Sequence, residues 1–221
     1  MEAFAFFLFG LPLAYAANRL VIELTTFEDD LVDAEDGRVL PWQQGEWPER
    51  VRWAVLLLLP IGMAVAASRF DLLQALAVSL AVLALLVITA TDMLRFRVPN
   101  VITYPGTIAA LAAAVLMPDG RIGDAVLAAV LGGGVFFVLA VITRGGIGLG
   151  DVKLAVLIGA ALGLPIAVEA LVYGIVAAAV VMAVLLIAGI VGRRQPVPYA
   201  PFLSLAAIVV LLMEGAAFAP L

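Results

Sequence analysis

The chain contains no cysteine and no histidine. The first absence excludes disulfides, a thiol nucleophile and every cysteine-ligated metal site. The second excludes a Ser-His-Asp triad, a zinc site of the HExxH kind and a histidine general base. Charge is scarce too. Asp, Glu, Lys and Arg make up 13% of the 221 residues, where a soluble domain carries about 25%. Lys153 is the lone lysine. The groups left for catalysis are carboxylates, that lysine, hydroxyls and water. A net charge of −5 gives no sign of nucleic-acid binding, and nine of the 17 acids crowd into residues 23–49.

What is abundant is apolar surface. The chain is 65% hydrophobic, with a mean hydropathy of +1.19. Its apolar runs are far longer than barrel strands, so the reading is an all-α polytopic membrane protein. Hydropathy divides it into about eight transmembrane helices, near 3–22, 53–68, 72–91, 100–117, 124–143, 152–163, 166–191 and 201–218. The second and sixth are short for a bilayer that needs about 20 residues. Gly163-Leu164-Pro165 breaks the sixth from the seventh. The stretch Ala3 to Ala17 lacks a basic leading region and reads as part of the first span, not as a cleavable signal. No internal repeat is evident.

Basic residues set the orientation. If the loops after spans 1, 3, 5 and 7 are cytoplasmic, then Arg19, Arg38, Arg50, Arg52, Arg95, Arg97, Arg144, Lys153, Arg193 and Arg194 lie inside. Arg69 and Arg121 lie outside. The bias supports the eight-span count, because losing one span would scramble it. Both termini then face outward.

Two regions follow. Residues 1–71 hold spans 1 and 2 with an acidic cytoplasmic loop, 23–52; residues 72–221 hold a core of about six transmembrane helices. The loop carries Glu28-Asp29-Asp30, Asp33 and Glu35-Asp36, then Pro41-Trp42 and Trp47-Pro48. It reads as a solvated segment with interfacial tryptophans, as a docking surface for a basic peptide, or as a carboxylate-rich calcium site whose spacing fits no EF-hand.

Asp92 and Asp151 carry the most information. Charged residues at the ends of apolar spans are costly and are usually functional. Asp92 closes span 3 and Asp151 opens span 6, so both reach one side of the membrane. Each has a plain structural reading as well. Asp92 could pair with Arg95 three positions on, and Asp151 could be a helix N-cap before Val152-Lys153-Leu154. Glycines flank Leu149 in Gly148-Leu149-Gly150, which lets a backbone approach the Asp151 carboxylate closely. Two carboxyls sharing one water can hydrolyse a peptide without metal or cofactor. One, ionised, takes a proton from the water; the other, protonated, polarises the scissile carbonyl. Lys153 could tune this pair or extend to the interface. Glu169 and Glu214 read as interfacial, Arg193-Arg194 as a topology anchor, and Gly132-Gly133-Gly134 as a close-packing patch.

Three motifs resemble those of the type IV prepilin peptidases. Asp92-Met93-Leu94-Arg95-Phe96-Arg97-Val98-Pro99-Asn100 is similar to the family's first catalytic motif, an aspartate followed seven residues later by proline. Gly148-Leu149-Gly150-Asp151-Val152-Lys153-Leu154 resembles its GxGD motif, with the lysine two residues beyond the aspartate. Pro198-Tyr199-Ala200-Pro201-Phe202-Leu203 resembles its proline-rich approach to the last span. The similarity covers residues 72–210. It implies an eight-span aspartyl protease of the prokaryotic plasma (inner) membrane, with its active site facing the cytoplasm. The implied substrates are prepilins or pseudopilins, cut between a short basic leader and a hydrophobic helix. The implied catalytic pair is Asp92 and Asp151, with Gly148, Gly150, Lys153 and Pro99 supporting the site. Asn18-Arg19-Leu20 resembles the family's first-span motif more weakly. Many bacterial members follow it with a cysteine-rich domain thought to bind zinc, and also methylate the new N-terminus. With no cysteine here, the expectation is peptidase alone.

Two alternatives stay open. A presenilin-like protease shares the GxGD aspartate, but the spacing from Asp92 to Pro99 and the lack of a Pro-Ala-Leu run near the C-terminus argue against it. A proton-coupled transporter could use Asp92 and Asp151 as a relay, and it predicts inverted repeats with broken helices.

Overall fold

Apolar segments in lipid must satisfy their backbone internally, which makes helices the default. The structure, a computed structural model, describes residues 1–26, 47–117, 119–143, 146–192 and 197–220. Most of the acidic loop, with Arg38, Arg144, Arg193 and Arg194, lies outside the described residues. Helix α1 is Glu2–Thr26, α2 Trp47–Leu56, α3 Leu58–Arg69 and α4 Leu72–Arg95. Then come α5 (Asn100–Leu116), α6 (Ile122–Ile142), α7 (Leu149–Leu162), α8 (Ile166–Ile187) and α9 (Ala200–Glu214). Across Leu57, α2 and α3 run on as one apolar helix from Pro48 to Arg69. Counted so, the described residues form the eight helices expected. Five are long and apolar enough to cross a bilayer. The chain is an all-α integral membrane protein.

Helix α7 is the short one, with 14 residues, about 21 Å at 1.5 Å per residue. It sits inside the bundle, packed by α5, α6, α8 and α9, with its C-terminal half buried. Small residues permit the closest of these contacts. Gly159 of α7 lies against the Ala128 backbone of α6, and Gly132 and Gly133 of α6 lie against Ala155 and Val156 of α7. A side chain at Gly133 or Gly159 would collide, and one at Gly132 would crowd the Ala155 carbonyl. Gly134 faces open space, so two of the three consecutive glycines serve packing.

Two helices stop earlier than hydropathy suggests. The seventh span ends at Ile187 and not at 191, because Gly189 takes φ +69. The eighth ends at Glu214 and not at 218, because Gly215 takes φ +95. A left-handed glycine is a standard helix stop. Beyond it the chain folds back as a short hairpin, β1 (Gly215–Ala216) pairing antiparallel with β2 (Ala219–Pro220). The Ala217 N–H donates to Ala161 O at 2.9 Å, and its carbonyl accepts from Arg121 N at 2.7 Å. Phe218 is buried to 1% exposure. The hairpin thereby closes one end of the bundle.

Candidate active site

Asp92 lies in the last turn of α4 and is 5% exposed. The helix ends just beyond it. Phe96 adopts the left-handed conformation (φ 53, ψ 41), and its N–H donates to Asp92 O at 2.8 Å. That turn sends the chain through Val98 to Pro99, the N-cap of α5. Proline cannot supply an N–H there and the residue before it is held out of the helical region, so the new helix starts at Asn100. The Pro99 carbonyl accepts from Ile102 N and Thr103 N, both at 3.1 Å.

Asp151 comes to the same end from the opposite direction. It is the third residue of α7, not its N-cap; the N-cap is Gly148. Its Oδ2 reaches back to accept the Gly148 N–H at 3.2 Å, the side-chain half of a capping box. Asp151 is 8% exposed. Gly150 is where the two strands of the site meet. A Cβ on it would stand 3.1 Å from Val98 Cβ, so a side chain would push the start of α7 away from the segment after Asp92.

The third wall is the start of α9. In Pro198-Tyr199-Ala200-Pro201, neither proline has an N–H to donate. The two amides that remain go to Asp92: Ala200 N donates to Asp92 Oδ2 at 3.1 Å, and the Tyr199 amide adds a weaker contact. First-turn amides have no helical partner and attract negative charge. Asp92 thus ties α4 to α9 across 108 residues of sequence. The two carboxyl groups are close enough to feel each other's charge. The Tyr199 phenol is within reach of the Asp151 charge. Burial pushes it above its ordinary value and the Asp151 charge adds to that, so it stays a neutral O–H donor near neutral pH.

Of the residues expected to support the site, Gly148 holds Asp151 through its amide, Gly150 provides the close approach, and Pro99 starts α5. Lys153 turns elsewhere. Its Nζ donates to Asn100 Oδ1 at 2.8 Å and stands 5.6 Å from the Tyr104 ring centre. It ties α7 to α5. Sequence reasoning missed the Tyr199 and Ala200 amides, the Tyr199 phenol and the contact of Val98 with Gly150. The flanking prolines were the available signal for the first. Towards the hairpin end, α4, α5 and α7 enclose an apolar cavity of about 200 Å³, lined by Ala81, Leu85, Gly106, Ala110, Leu157 and Phe218 among others.

Comparison with known proteins points the same way. Residues 79–187, which contain both aspartates, match the type IV leader peptidase family. A curated relative, the prepilin leader peptidase/N-methyltransferase of Bacillus subtilis (strain 168), is 31% identical over 150 residues. Those residues are 67% of this chain and 60% of the relative. The chain therefore spans less than two thirds of that relative's length. No solved structure matches. On these matches, the chain belongs to the type IV leader peptidase family.

Proposed function

We propose that this protein is an aspartyl endopeptidase that removes the leader from prepilin-like or pseudopilin substrates, with Asp92 and Asp151 as its catalytic pair. One observation carries the reading: two buried carboxyls from α4 and α7 lie at the same end of the bundle, near enough for the Asp151 charge to act on Asp92. Each is held by the backbone through Oδ2, and the pair would share a water. The ionised member takes a proton from that water as its oxygen attacks the scissile carbonyl carbon. The protonated member gives its proton to the carbonyl oxygen, forming a tetrahedral diol. Collapse of the diol breaks the C–N bond, and the departing nitrogen takes up a proton. The pair titrates as a unit, so neither aspartate owns the shared proton.

Residues 72–221 form the peptidase core in this reading. The basic-residue distribution supports a cytoplasmic active site in a prokaryotic plasma membrane. The substrate's hydrophobic helix would lie in the lipid alongside. The acidic residues of 23–52 would suit a basic leader. Methylation is not part of the proposal.

The test is leader cleavage of a prepilin-type substrate co-expressed with this chain, beside Asp92→Asn and Asp151→Asn variants that insert equally well. Loss of cleavage in both supports the pair; cleavage that survives either change sinks it. A chain that never cuts a leader yet moves protons would be the relay transporter instead.

A further inference from the structure

Buried hydroxyls on the helices of this protein have a common habit. Ser79, Thr89, Thr91 and Thr103 each donate to the carbonyl four residues earlier, at 2.7, 2.9, 3.1 and 3.1 Å. Ser204 of α9 does not. It is fully buried at 0% exposure, and its Oγ has no hydrogen-bond partner among the described residues. Burying an unpaired hydroxyl is unfavourable, and such a group calls for a reason.

Its position supplies one. Ser204 follows Ala200 by four residues and so lies on the same face of α9, one turn further in. Ala200 is the residue whose N–H holds Asp92 Oδ2 at 3.1 Å. Helical Cα–Cβ bonds tilt toward the N-terminus, so the Ser204 hydroxyl leans back toward the turn that holds Asp92. Helix α9 packs against α8, α4 and α7. One turn is about 5.4 Å, and one water between two oxygens, each bond about 2.8 Å, spans a similar distance.

We propose that Ser204 is a positioning residue: through one bound water it hydrogen-bonds the Asp92 carboxyl from the buried side and fixes its orientation beside Asp151. This rests on the aspartyl reading above. The titratable neighbours of Asp92, namely Asp151 on α7, Tyr199 ahead of α9 and Arg95 on its own helix, are untouched by substitution at 204.

The experiment uses the full chain in membranes or detergent and three variants, Ser204→Ala and the equal-shape pair Ser204→Thr and Ser204→Val. In Ser204→Ala and Ser204→Val, kcat for leader cleavage should fall about tenfold, a modest share of a general acid–base contribution. KM should stay within about twofold, and the acid limb of the kcat profile should move. Ser204→Thr should recover both. A hydroxyl that merely fills space behaves otherwise: its removal leaves kcat and the pH profile alone and keeps or raises the unfolding temperature. A second readout needs no substrate. The infrared carboxyl band assigned to Asp92 by its loss in Asp92→Asn should shift in the Ala and Val variants and return in Thr. An unmoved band together with an unmoved kcat profile overturns the proposal. If the unsubstituted chain cuts no leader, the peptidase reading fails, and the band still decides whether Ser204 reaches Asp92.

Discussion

At one end of the bundle α4 finishes, α5, α7 and α9 begin, and unpaired helix amides are met by carboxylates. Asp92 takes the Ala200 amide and Asp151 takes Gly148. At the other end the same difficulty is solved with backbone alone. The Ala161 carbonyl near the end of α7 is met by Ala217 N–H, and Ala217 O accepts from Arg121 N just ahead of α6. Both solutions satisfy helix termini. The first turns two buried carboxylates to the helix amides; the second seals with Phe218 at 1% exposure. In the proposed reading, one end serves chemistry and the other closure. Substitutions should therefore affect activity at the first and stability at the second.

The largest effect is expected for Asp92→Asn and Asp151→Asn. An amide oxygen can still accept the Ala200 or Gly148 N–H, so the helix termini remain satisfied. What is lost is the exchangeable proton, and cleavage should fall by about 10³-fold or more. The unfolding temperature should stay near that of the unsubstituted protein. Leader cleavage and a thermal melt on the same detergent sample check both halves. Residual cleavage within tenfold of normal would mean the carboxylates are caps and nothing more.

Phe218→Ala should do the converse. In an apolar surrounding the solvent-transfer contribution is small, and the cost is the space left behind. An emptied volume of about 100 Å³ at roughly 24 cal/mol per Å³ gives about 2 kcal/mol. It would also enlarge the apolar cavity that Phe218 helps to line. The melting temperature should fall while turnover per folded molecule holds. If turnover falls and the melt does not move, the two ends are coupled and the division is wrong.

Gly150→Ala probes the seam within the active end. Its new methyl would meet Val98 at 3.1 Å, a distance at which the neighbour must yield by a few tenths of an ångström. Misplacement of this kind should lower kcat about tenfold, since catalysis depends on geometry held to a fraction of an ångström. Adding Val98→Ala opens the space and should restore most of the loss. Rescue by the double variant identifies crowding as the cause; failure to rescue points to a need for glycine's backbone freedom.

Much of this was visible in the chain, for physical reasons. Lipid forces apolar runs into helices, so hydropathy gives the number of helices. Asp92 and Asp151 stand out because a carboxylate bordering an apolar run is rare. Hydropathy could not locate the end of α9, since Ala216, Ala217 and Phe218 are as apolar in a buried hairpin as in a span. Nor could it show that Tyr199 and Ala200 turn their amides to Asp92, because a backbone N–H has no letter of its own. The approach of Gly150 to Val98 joins positions 52 apart, and only the folded chain brings them together.

Lys153 marks the boundary of the active end and should give the smallest effect. Its place two residues after Asp151 invites the view that it tunes the carboxylates. Its contacts lead to α5: Asn100 Oδ1 at 2.8 Å and the Tyr104 ring at 5.6 Å. Exposed polar ties of this kind contribute less than about 1 kcal/mol, and a cation over a tyrosine face at an exposed site adds about 0.5–1 kcal/mol. Lys153→Met keeps the apolar stem and removes the charge. Cleavage should stay within about twofold across the pH range, with a melting temperature a few degrees lower. A pH profile displaced in Lys153→Met would show that its charge reaches the aspartates after all, and would extend the active end from the carboxylates to the α5–α7 tie.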